Sequence, residues 1–389
     1  MTQLTPSHSS FIPLPVLKVL GLGGGGCNAI NRMIELGIGG VEFIAANTDH
    51  QALQASLAQT KILLGPHVTR GLGAGGKPEV GQAAAEESER ELAKALEGAD
   101  MVFLTAGMGG GTGTGSIPIA ARAARSIGAV TIAIVTTPFS FEMGRRQRNA
   151  AEGLANLRPH TDTLIAIPND RLLYVAPRNL PLEVAFRLAD DVLRQAVQGI
   201  TELITEPGLI NVDFAHIRRL MKLGGGALMS IGQGHGEGKA RCAFEQALHH
   251  PLLDSVSIDQ AAGIIANFTG GEELSLLEVS EVLTEIHNQI GSQVEIVLGV
   301  THDERMSDRA QVILVITGLG APSLETVMPG FAIQQVKPTV LQDQTTTMSQ
   351  SNPSIVAHPV DNLPLNLAHT ASNDLDLPAF LRRRARLAN

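Results

Sequence analysis

Short apolar runs alternate with stretches of helical spacing along the first 180 residues of the chain. A run of about four to eight apolar residues is typical of a buried strand, whereas apolar residues three or four positions apart are typical of a helix. The pattern predicts strands at 16–20, 41–46, 101–105, 129–136 and 162–167, and helices at 28–36, 78–96 and 116–127. Strands that alternate with helices form a parallel sheet covered on both faces. Residues 16–180 are therefore expected to form an α/β domain.

A long helix is predicted at 181–205, after which the pattern changes. The helix starts at Pro181, and its apolar residues cover so much of the circumference that we expect it to be buried between two domains. Pro207-Gly208 ends it. Residues 206–320 mix helical stretches with β-like runs, which predicts an α+β domain. The helices are expected at 213–223, 240–248 and 275–290, and the strands at 261–267, 293–299 and 311–317.

The two ends of the chain have little periodicity. Residues 1–15 form a polar arm, and residues 321–373 are rich in Pro, Gln, Thr, Ser and Asn, which is typical of a flexible linker. Apolar and basic residues return together in the tail, 374–389. This cluster is either an ordinary chain end or a short docking peptide. Its candidate partner-binding residues are Leu377, Pro378, Phe380, Leu381 and Arg382.

Composition excludes several classes of function. Aromatic residues make up 3% of the chain, Trp is absent and the net charge is -9, so a general nucleic-acid-binding surface is not expected. Cys27 and Cys242 are too few for a disulfide framework or a four-thiolate zinc site, and no metal site of the protein's own is expected. The first 20 residues do not resemble a signal peptide, and no apolar run has the length of a transmembrane helix.

Three glycine clusters carry the candidate chemistry. Residues 21–26 follow a predicted strand and have the G-x-G-x-x-G spacing of dinucleotide-binding turns. The GGGTGTG run at 109–115 also lies between a strand and a helix, where its N–H groups can surround phosphate oxygens. The run contains no Lys, which excludes the phosphate loop of the pattern G-x-x-x-x-G-K-[ST]. A third loop, 71–78, could close over an outer phosphate. The residues alone leave dinucleotide and mononucleotide ligands both open.

The GGGTGTG run and its surroundings resemble the tubulin/FtsZ family. Other segments resemble that family in the same order along residues 16–320: Asn47-Thr48-Asp49, the loop 71–81, 137–142, Ile167-Pro168-Asn169-Asp170, 207–214 and Ala227-Leu228-Met229. The tail is similar to the family peptide that binds membrane tethers. The resemblance implies a Rossmann-like parallel-sheet GTPase domain, a long central helix and a second α+β domain, followed by a disordered linker and tail peptide.

The resemblance also implies a nucleotide site. GTP or GDP, with Mg²⁺ accompanying the nucleotide, would bind the first domain. Glu142 would contact the ribose, Arg146 the phosphate region, and Asn169 with Asp190 the guanine. Residues of two further segments would complete the site: Gly24, Gly25, Gly26, Cys27, Asn28, Gly111, Thr112 and Gly113. Cys27 stands where the family commonly has Asn or Gly.

Catalysis in this family implies a second copy of the chain, which adds a loop to the site when subunits assemble head to tail. The loop residues here are Asn211, Asp213 and His216. His216 stands where the family usually has an acidic residue, so hydrolysis is either retained, reduced or retuned. The resemblance implies a GTPase that forms the division ring, in the cytoplasm under the membrane at mid-cell. Two alternatives stay open. One is a filament-forming protein with weak hydrolysis. The other is a Rossmann-type oxidoreductase, with Asp49 as its ribose-binding acid.

Overall fold

A computed structural model describes residues 14–142, 144–174, 179–205, 212–253, 261–290 and 294–319. Residues 1–13 of the predicted arm 1–15, the linker and tail beyond 319, and Pro207-Gly208 lie outside these residues. Within the described ranges, no helix has both the length and the apolar character needed to cross a membrane.

One sheet of ten strands runs through the described residues in the order β3-β2-β1-β4-β5-β6-β7-β10-β8-β9. The first six strands are parallel to their neighbours. Their bounds are β1 (Leu17–Leu22), β2 (Val41–Asn47), β3 (Thr60–Leu63), β4 (Met101–Gly107), β5 (Val130–Thr137) and β6 (Thr163–Pro168). The order 3-2-1-4-5-6 reverses direction between β1 and β4. Ligands of open α/β sheets bind at such a switch point.

The second half of the chain extends the same sheet. Its strands are β7 (Gly226–His235), β8 (Gly263–Gly270), β9 (Glu295–His302) and β10 (Arg309–Leu319). Strand β7 joins β6 in parallel through Leu164 and Ile165, whereas β10 is antiparallel to both β7 and β8. Strand β9 is parallel to β8. The mixed pairing of these four strands confirms an α+β arrangement after a parallel first half.

Helices cover both faces of the sheet. In the first half they are α1 (Gly23–Glu35), α2 (His50–Gln54), α3 (Pro66–Thr69), α4 (Pro78–Glu87), α5 (Glu89–Leu96), α6 (Thr112–Ser126), α7 (Arg145–Leu157) and α8 (Asn169–Leu172). They are followed by α9 (Leu182–Thr205), α10 (Phe214–Met221), α11 (Lys239–Leu248) and α12 (Leu276–Ile290). One core lies under α1, α9 and α10, and a second lies under α4 to α7 on the other side of the sheet.

The long helix α9 confirms the sequence prediction and packs against both halves of the sheet. Its buried residues belong to the same core as Ile165 of β6 and Ile313 of β10. The close approach depends on Gly199, where an added Cβ would lie 2.5 Å from Cδ1 of Ile313. The carbonyl of Gly199 also accepts a hydrogen bond of 3.3 Å from Nδ2 of buried Asn267. Burial of one continuous face over 24 residues holds this helix in place.

Several elements differ from the sequence prediction. Helices α1 and α6 begin at Gly23 and Thr112, earlier than expected, so glycines predicted as turns form first helical turns. The predicted helix 78–96 is divided at buried Ser88, whose Oγ accepts a hydrogen bond of 3.0 Å from the N–H of Gly65. Strands β3 and β7 and helix α7 were not predicted. Three of the ten residues of β7 are glycine, and most of the apolar residues of α7 are alanine, so large apolar residues mark neither element clearly.

Candidate functional site

A cleft of about 400 Å³ opens at the carboxyl ends of β1 and β4, at the switch point of the parallel strands. The register pairs Leu22 with Ala106, so both strands end at the same level of the sheet. Ten of the predicted nucleotide-binding residues line the cleft: Gly24, Gly25, Asn28, Gly111, Thr112, Gly113, Glu142, Arg146, Asn169 and Asp190. The fold therefore collects residues that are up to 166 positions apart, from Gly24 to Asp190.

Two helix N-termini point to this cleft without capping side chains. Leu22 precedes α1 and Gly111 precedes α6, and neither makes a side-chain capping hydrogen bond. The first N–H groups of any helix have no partner within the helix, and they carry its partial positive charge. Two such ends at one cleft form a ready site for phosphate groups.

Glycine is required where the two helix starts approach each other. Gly23 has φ +69°, and an added Cβ would lie 2.8 Å from the backbone nitrogen of Gly113. At Gly113 itself, a Cβ would lie 2.9 Å from the carbonyl oxygen of Gly107. A larger residue at Gly23 or Gly113 would force these segments apart, which explains why glycine occupies both positions.

A hydroxyl pair fixes the start of α6. Oγ1 of Thr112 lies 2.6 Å from Oγ1 of Thr48, which is fully buried in the turn after β2. The Asn47-Thr48-Asp49 segment therefore supports the phosphate side of the cleft from behind. Asp49 does not line the cleft; its side chain accepts a hydrogen bond of 3.0 Å from the N–H of Ala52 and caps α2.

Glu142 and Arg146 form an ion pair at the cleft edge. The carboxylate is held inward, since its Oε1 accepts a hydrogen bond of 3.0 Å from the N–H of Phe139 and its side chain is only 10% exposed. The guanidinium of Arg146 is 59% exposed and sits on the first turn of α7. This pairing leaves the remaining Arg146 N–H groups free to face an anion.

The far end of the cleft has two polar side chains suited to a base. Asn169 is 5% exposed, and its Oδ1 has no hydrogen-bond partner among the described residues. Burial raises the pKa of Asp190 to about 7, which means that the site lacks a compensating donor for this carboxylate. A ligand with N–H donors would satisfy both groups, as guanine can with its ring and exocyclic N–H.

Phe186 also lines the cleft, although the sequence prediction missed it. It lies one turn before Asp190 on α9, and its ring packs edge-on against Phe139 with the centroids 5.5 Å apart. Its own exposure is 39%, so the ring has a free surface beside the base end. The spacing i, i+4 from Asp190 was the signal that could have identified it.

Gly26 and Cys27 do not line the cleft, although both lie near the start of α1. A Cβ at Gly26 would lie 2.4 Å from the carbonyl oxygen of Thr105, so this glycine allows α1 to pack on β4. Cys27 is 3% exposed, and its Sγ lies 4.0 Å from Nδ2 of Asn47. Burial raises the pKa of its thiol to about 11, which keeps it protonated at neutral pH.

Two of the three predicted catalytic residues, Asp213 and His216, lie outside the cleft. Asp213 caps α10, since its Oδ1 accepts a hydrogen bond of 3.0 Å from the N–H of Ala215. His216 lies one turn later, and both side chains are exposed. Asn211, together with the five tail residues Leu377, Pro378, Phe380, Leu381 and Arg382, lies outside the described residues. Among the described residues, no group of three or more His, Cys, Asp or Glu side chains could hold a metal ion.

Comparisons with known proteins match both halves of the chain. Residues 16–177 match the tubulin/FtsZ family GTPase domain, and residues 225–320 match the FtsZ family C-terminal domain. The chain is similar to an empty FtsZ dimer from M. jannaschii, with 47% identity and a TM-score of 0.74 over 78% of this chain and 88% of the other.

A more distant likeness concerns the fold alone. CetZ2 from Haloferax volcanii, solved as a GTPγS-bound protofilament, matches with 20% identity and a TM-score of 0.68. The match covers 80% of this chain and 96% of that one. CetZ1 from the same organism, a GDP-bound monomer, matches with 20% identity and a TM-score of 0.69 over 80% of this chain and 96% of its own.

Proposed function

Because this chain belongs to the tubulin/FtsZ family of GTPases, we propose that GTP binds between α1 and α6 and is hydrolysed when a second copy of the chain completes the site. The chain is a GTPase and a filament-forming cytoskeletal protein. The observation that carries the proposed binding mode is the pair of uncapped helix N-termini at one cleft. Their N–H groups would hold the phosphates of the nucleotide.

The base end of the cleft would select guanine. Ionised Asp190 can accept hydrogen bonds from the ring N–H and the exocyclic amine of guanine, whereas adenine lacks this donor pair. The unpartnered Oδ1 of Asn169 can accept a further hydrogen bond, and the ring of Phe186 offers an apolar surface for the base. Glu142 would contact the ribose and Arg146 the phosphates, with Gly24, Gly25, Asn28, Gly111, Thr112 and Gly113 along the chain of phosphates.

Hydrolysis would use groups from the neighbouring subunit. Of the residues that line the cleft, the carboxylates are Glu142, which is paired with Arg146, and Asp190, which faces the base end. Asp213 and His216 are instead exposed at the start of α10, where they can reach a second molecule. Asp213, with Asn211, would orient water against the terminal phosphate. Head-to-tail assembly would then switch hydrolysis on.

Mg²⁺ would enter with the nucleotide. This ion binds phosphate oxygens and water and needs few protein ligands, so a cleft without a cluster of carboxylates can accommodate it. The ion would neutralise phosphate charge during hydrolysis.

In the cell, we propose that the filaments form the division ring in the cytoplasm, under the inner face of the membrane at mid-cell. The tail cluster Leu377, Pro378, Phe380, Leu381 and Arg382 would bind a membrane tether through apolar contacts and basic charge. Deletion of 374–389 should leave GTP-driven assembly intact and abolish recruitment to tether-coated vesicles. Loss of assembly itself would contradict a docking role.

Sedimentation with GTP or GDP, run beside a phosphate-release assay, tests the proposal. Pelleting that requires GTP, with phosphate release that rises steeply above an assembly threshold, is the expected result. Phosphate release proportional to protein concentration, with no threshold, would contradict a site shared between subunits. The weaker-hydrolysis alternative predicts pelleting with little phosphate release, because His216 replaces a carboxylate.

A further inference from the structure

Asn149 lies on the inner side of α7 and joins two segments that lie behind the wall of the cleft. It is 8% exposed, and its Nδ2 donates hydrogen bonds of 3.2 Å to the carbonyl oxygens of both Gly76 and Gly109. A primary amide has two N–H groups, so both are used. Gly76 and Gly109 belong to different segments of the chain, 33 positions apart.

The first of these segments is the glycine loop, residues 71–77, which does not line the cleft but packs against Gly111, which does. A Cβ at Gly111 would be 2.7 Å from the nitrogen of Lys77 and 2.8 Å from Cβ of Ala74. The loop and the turn before α6 are therefore in van der Waals contact. Movement of this loop would therefore change the packing behind Gly111, which forms part of the cleft wall.

The two halves of the glycine loop are held differently. The first half is tied to the turn after β2, because the Gly71 carbonyl accepts a 3.0 Å hydrogen bond from the N–H of His50 and the Gly73 N–H donates one of 3.1 Å to Thr48. In the second half, Gly75 and Gly76 have positive φ, and a Cβ on either would meet no atom within 4 Å. Asn149 supplies a side-chain tie to Gly76, which is exposed in this half.

The other end of the bridge is the turn before α6. Gly109 has φ +97°, and its N–H donates a hydrogen bond of 2.8 Å to Oγ1 of Thr114. A Cβ at Gly109 would lie 2.8 Å from the carbonyl oxygen of Arg146, so this turn also touches the first turn of α7. Helix α7 thus carries Arg146 at the cleft and Asn149 behind it, three positions apart.

We propose that Asn149 is a positioning residue that holds the glycine loop closed on the phosphate-binding turn and so slows nucleotide release. The inference rests on the proposed nucleotide site, and it assigns a role to a residue that does not line the cleft. Loss of the amide leaves two carbonyl oxygens without their donor, which favours opening of the loop toward water. Asn149 acts through the two loops and not on the reacting atoms.

Two substitutions at this position separate the bridge from simple packing. Asn149→Leu keeps a side chain of similar size and removes both donors. Asn149→Asp keeps the shape and places a carboxylate against two carbonyl oxygens. Asn156→Leu is the matched control, because Asn156 is exposed on the same helix seven positions later. Circular dichroism and thermal unfolding verify that each variant folds. If Asn149→Leu does not fold, the measurements below are made on Asn149→Asp alone.

Loop opening is measured first, without nucleotide. Hydrogen exchange of peptides covering 71–77 should be at least several-fold faster in both Asn149 variants than in the wild type, with the exchange of β4 and β5 unchanged. Uniformly faster exchange across the domain, or no change at 71–77, would overturn the bridge.

Nucleotide release is measured second, on full-length protein below the assembly threshold. Dissociation of a fluorescent GTP analogue should be about tenfold faster in the Asn149 variants and unchanged in Asn156→Leu. The turnover at saturating GTP should change less than the KM, since the bridge holds loops and not reacting groups. A wild type that binds no GTP would overturn the proposed function. Tight wild-type binding with the same release rate in all variants would overturn the role of Asn149 alone.

Discussion

At the scale of single residues, the cleft is built from groups that the protein leaves unsatisfied. The N–H groups that begin α1 and α6 have no side-chain cap, Oδ1 of buried Asn169 has no partner among the described residues, and burial raises the pKa of Asp190 to about 7. Such groups lower stability in the empty protein. A nucleotide with phosphate oxygens at one end and N–H donors at the other would satisfy all of them.

The raised pKa of Asp190 predicts a pH-dependent affinity. Guanine donors favour the ionised carboxylate, so binding lowers its pKa from the value of about 7 in the free protein. The binding free energy that ionised Asp190 contributes is then fully present above pH 7 and is lost as the pH falls below 7. The Kd therefore rises with falling pH, approaching about tenfold per pH unit. Titrations of a fluorescent GTP analogue between pH 6 and 8 measure this. Asp190→Asn should bind more weakly and lack the slope; a wild-type affinity that is flat across this range would contradict the role.

Substitution of His216 by Asp is expected to increase GTP turnover. If a carboxylate belongs at this exposed position of α10, His216→Asp should raise the turnover of GTP and leave its affinity unchanged, because the residue acts on a neighbour's nucleotide. A positioned acid–base group contributes about 100-fold or more, and each tenfold corresponds to about 1.4 kcal/mol. Phosphate release per subunit above the assembly threshold is the measurement. Equal or lower turnover would show that His216 itself supports hydrolysis or is a neutral replacement.

At the scale of elements, glycines decide how closely helices and strands pack. In β7, a Cβ at Gly232 would lie 1.9 Å from the carbonyl oxygen of Ala243, and one at Gly234 would lie 2.0 Å from that of Lys239. In α7, a Cβ at Gly153 would lie 2.3 Å from Cγ2 of Thr114. These glycines therefore let β7 pack closely against α11, and α7 against α6.

Gly232→Ala should consequently destabilise the second half of the sheet. The new methyl group meets the backbone of α11 and not a side chain that can rotate away, so we expect a loss of about 1–3 kcal/mol in the free energy of unfolding. Gly39→Ala is the matched control, since its Cβ would meet no atom within 4 Å and its φ is not positive. Urea denaturation of both variants measures the difference. Equal stability of the two would show that α11 moves without cost.

At the scale of the whole molecule, the nucleotide cleft and the predicted catalytic groups occupy separate parts of the same chain. The cleft lies at the ends of β1 and β4, whereas Asp213 and His216 are exposed on α10 and do not line it. Under the proposed binding mode, one copy of the chain would therefore bind nucleotide without its own catalytic groups. Assembly of like subunits end to end would bring the two parts together, and hydrolysis would report on assembly.

Asp213→Ala tests this separation. The variant should bind GTP with wild-type affinity, since Asp213 lies outside the cleft, and it should lose hydrolysis. In mixtures, each variant subunit would also silence the nucleotide of a wild-type neighbour, so phosphate release should fall more steeply than the wild-type fraction. Release rates across a series of mixing ratios measure the effect. A linear dependence on the wild-type fraction would contradict a shared site.

Much of this organisation was predictable from the sequence because the signals are local. The apolar runs of β1, β4 and β5 are long enough to indicate buried parallel strands, and the apolar positions of α9 indicate a buried helix. The glycine-rich turns at 21–26 and 109–115 predicted anion binding, because only a backbone without side chains can surround a phosphate. Of the twelve predicted nucleotide-binding residues, ten line the cleft.

The tertiary structure decided what depends on contacts between distant segments. It assigned Gly26 to helix packing against Thr105 and Cys27 to the core, and it brought Phe186 beside Asp190. It also placed Asn149 between Gly76 and Gly109, which no spacing along the chain reveals. Periodicity records which face of an element is buried. Which loops meet behind that face is set by the order of strands in the sheet, and so only the folded chain determines it.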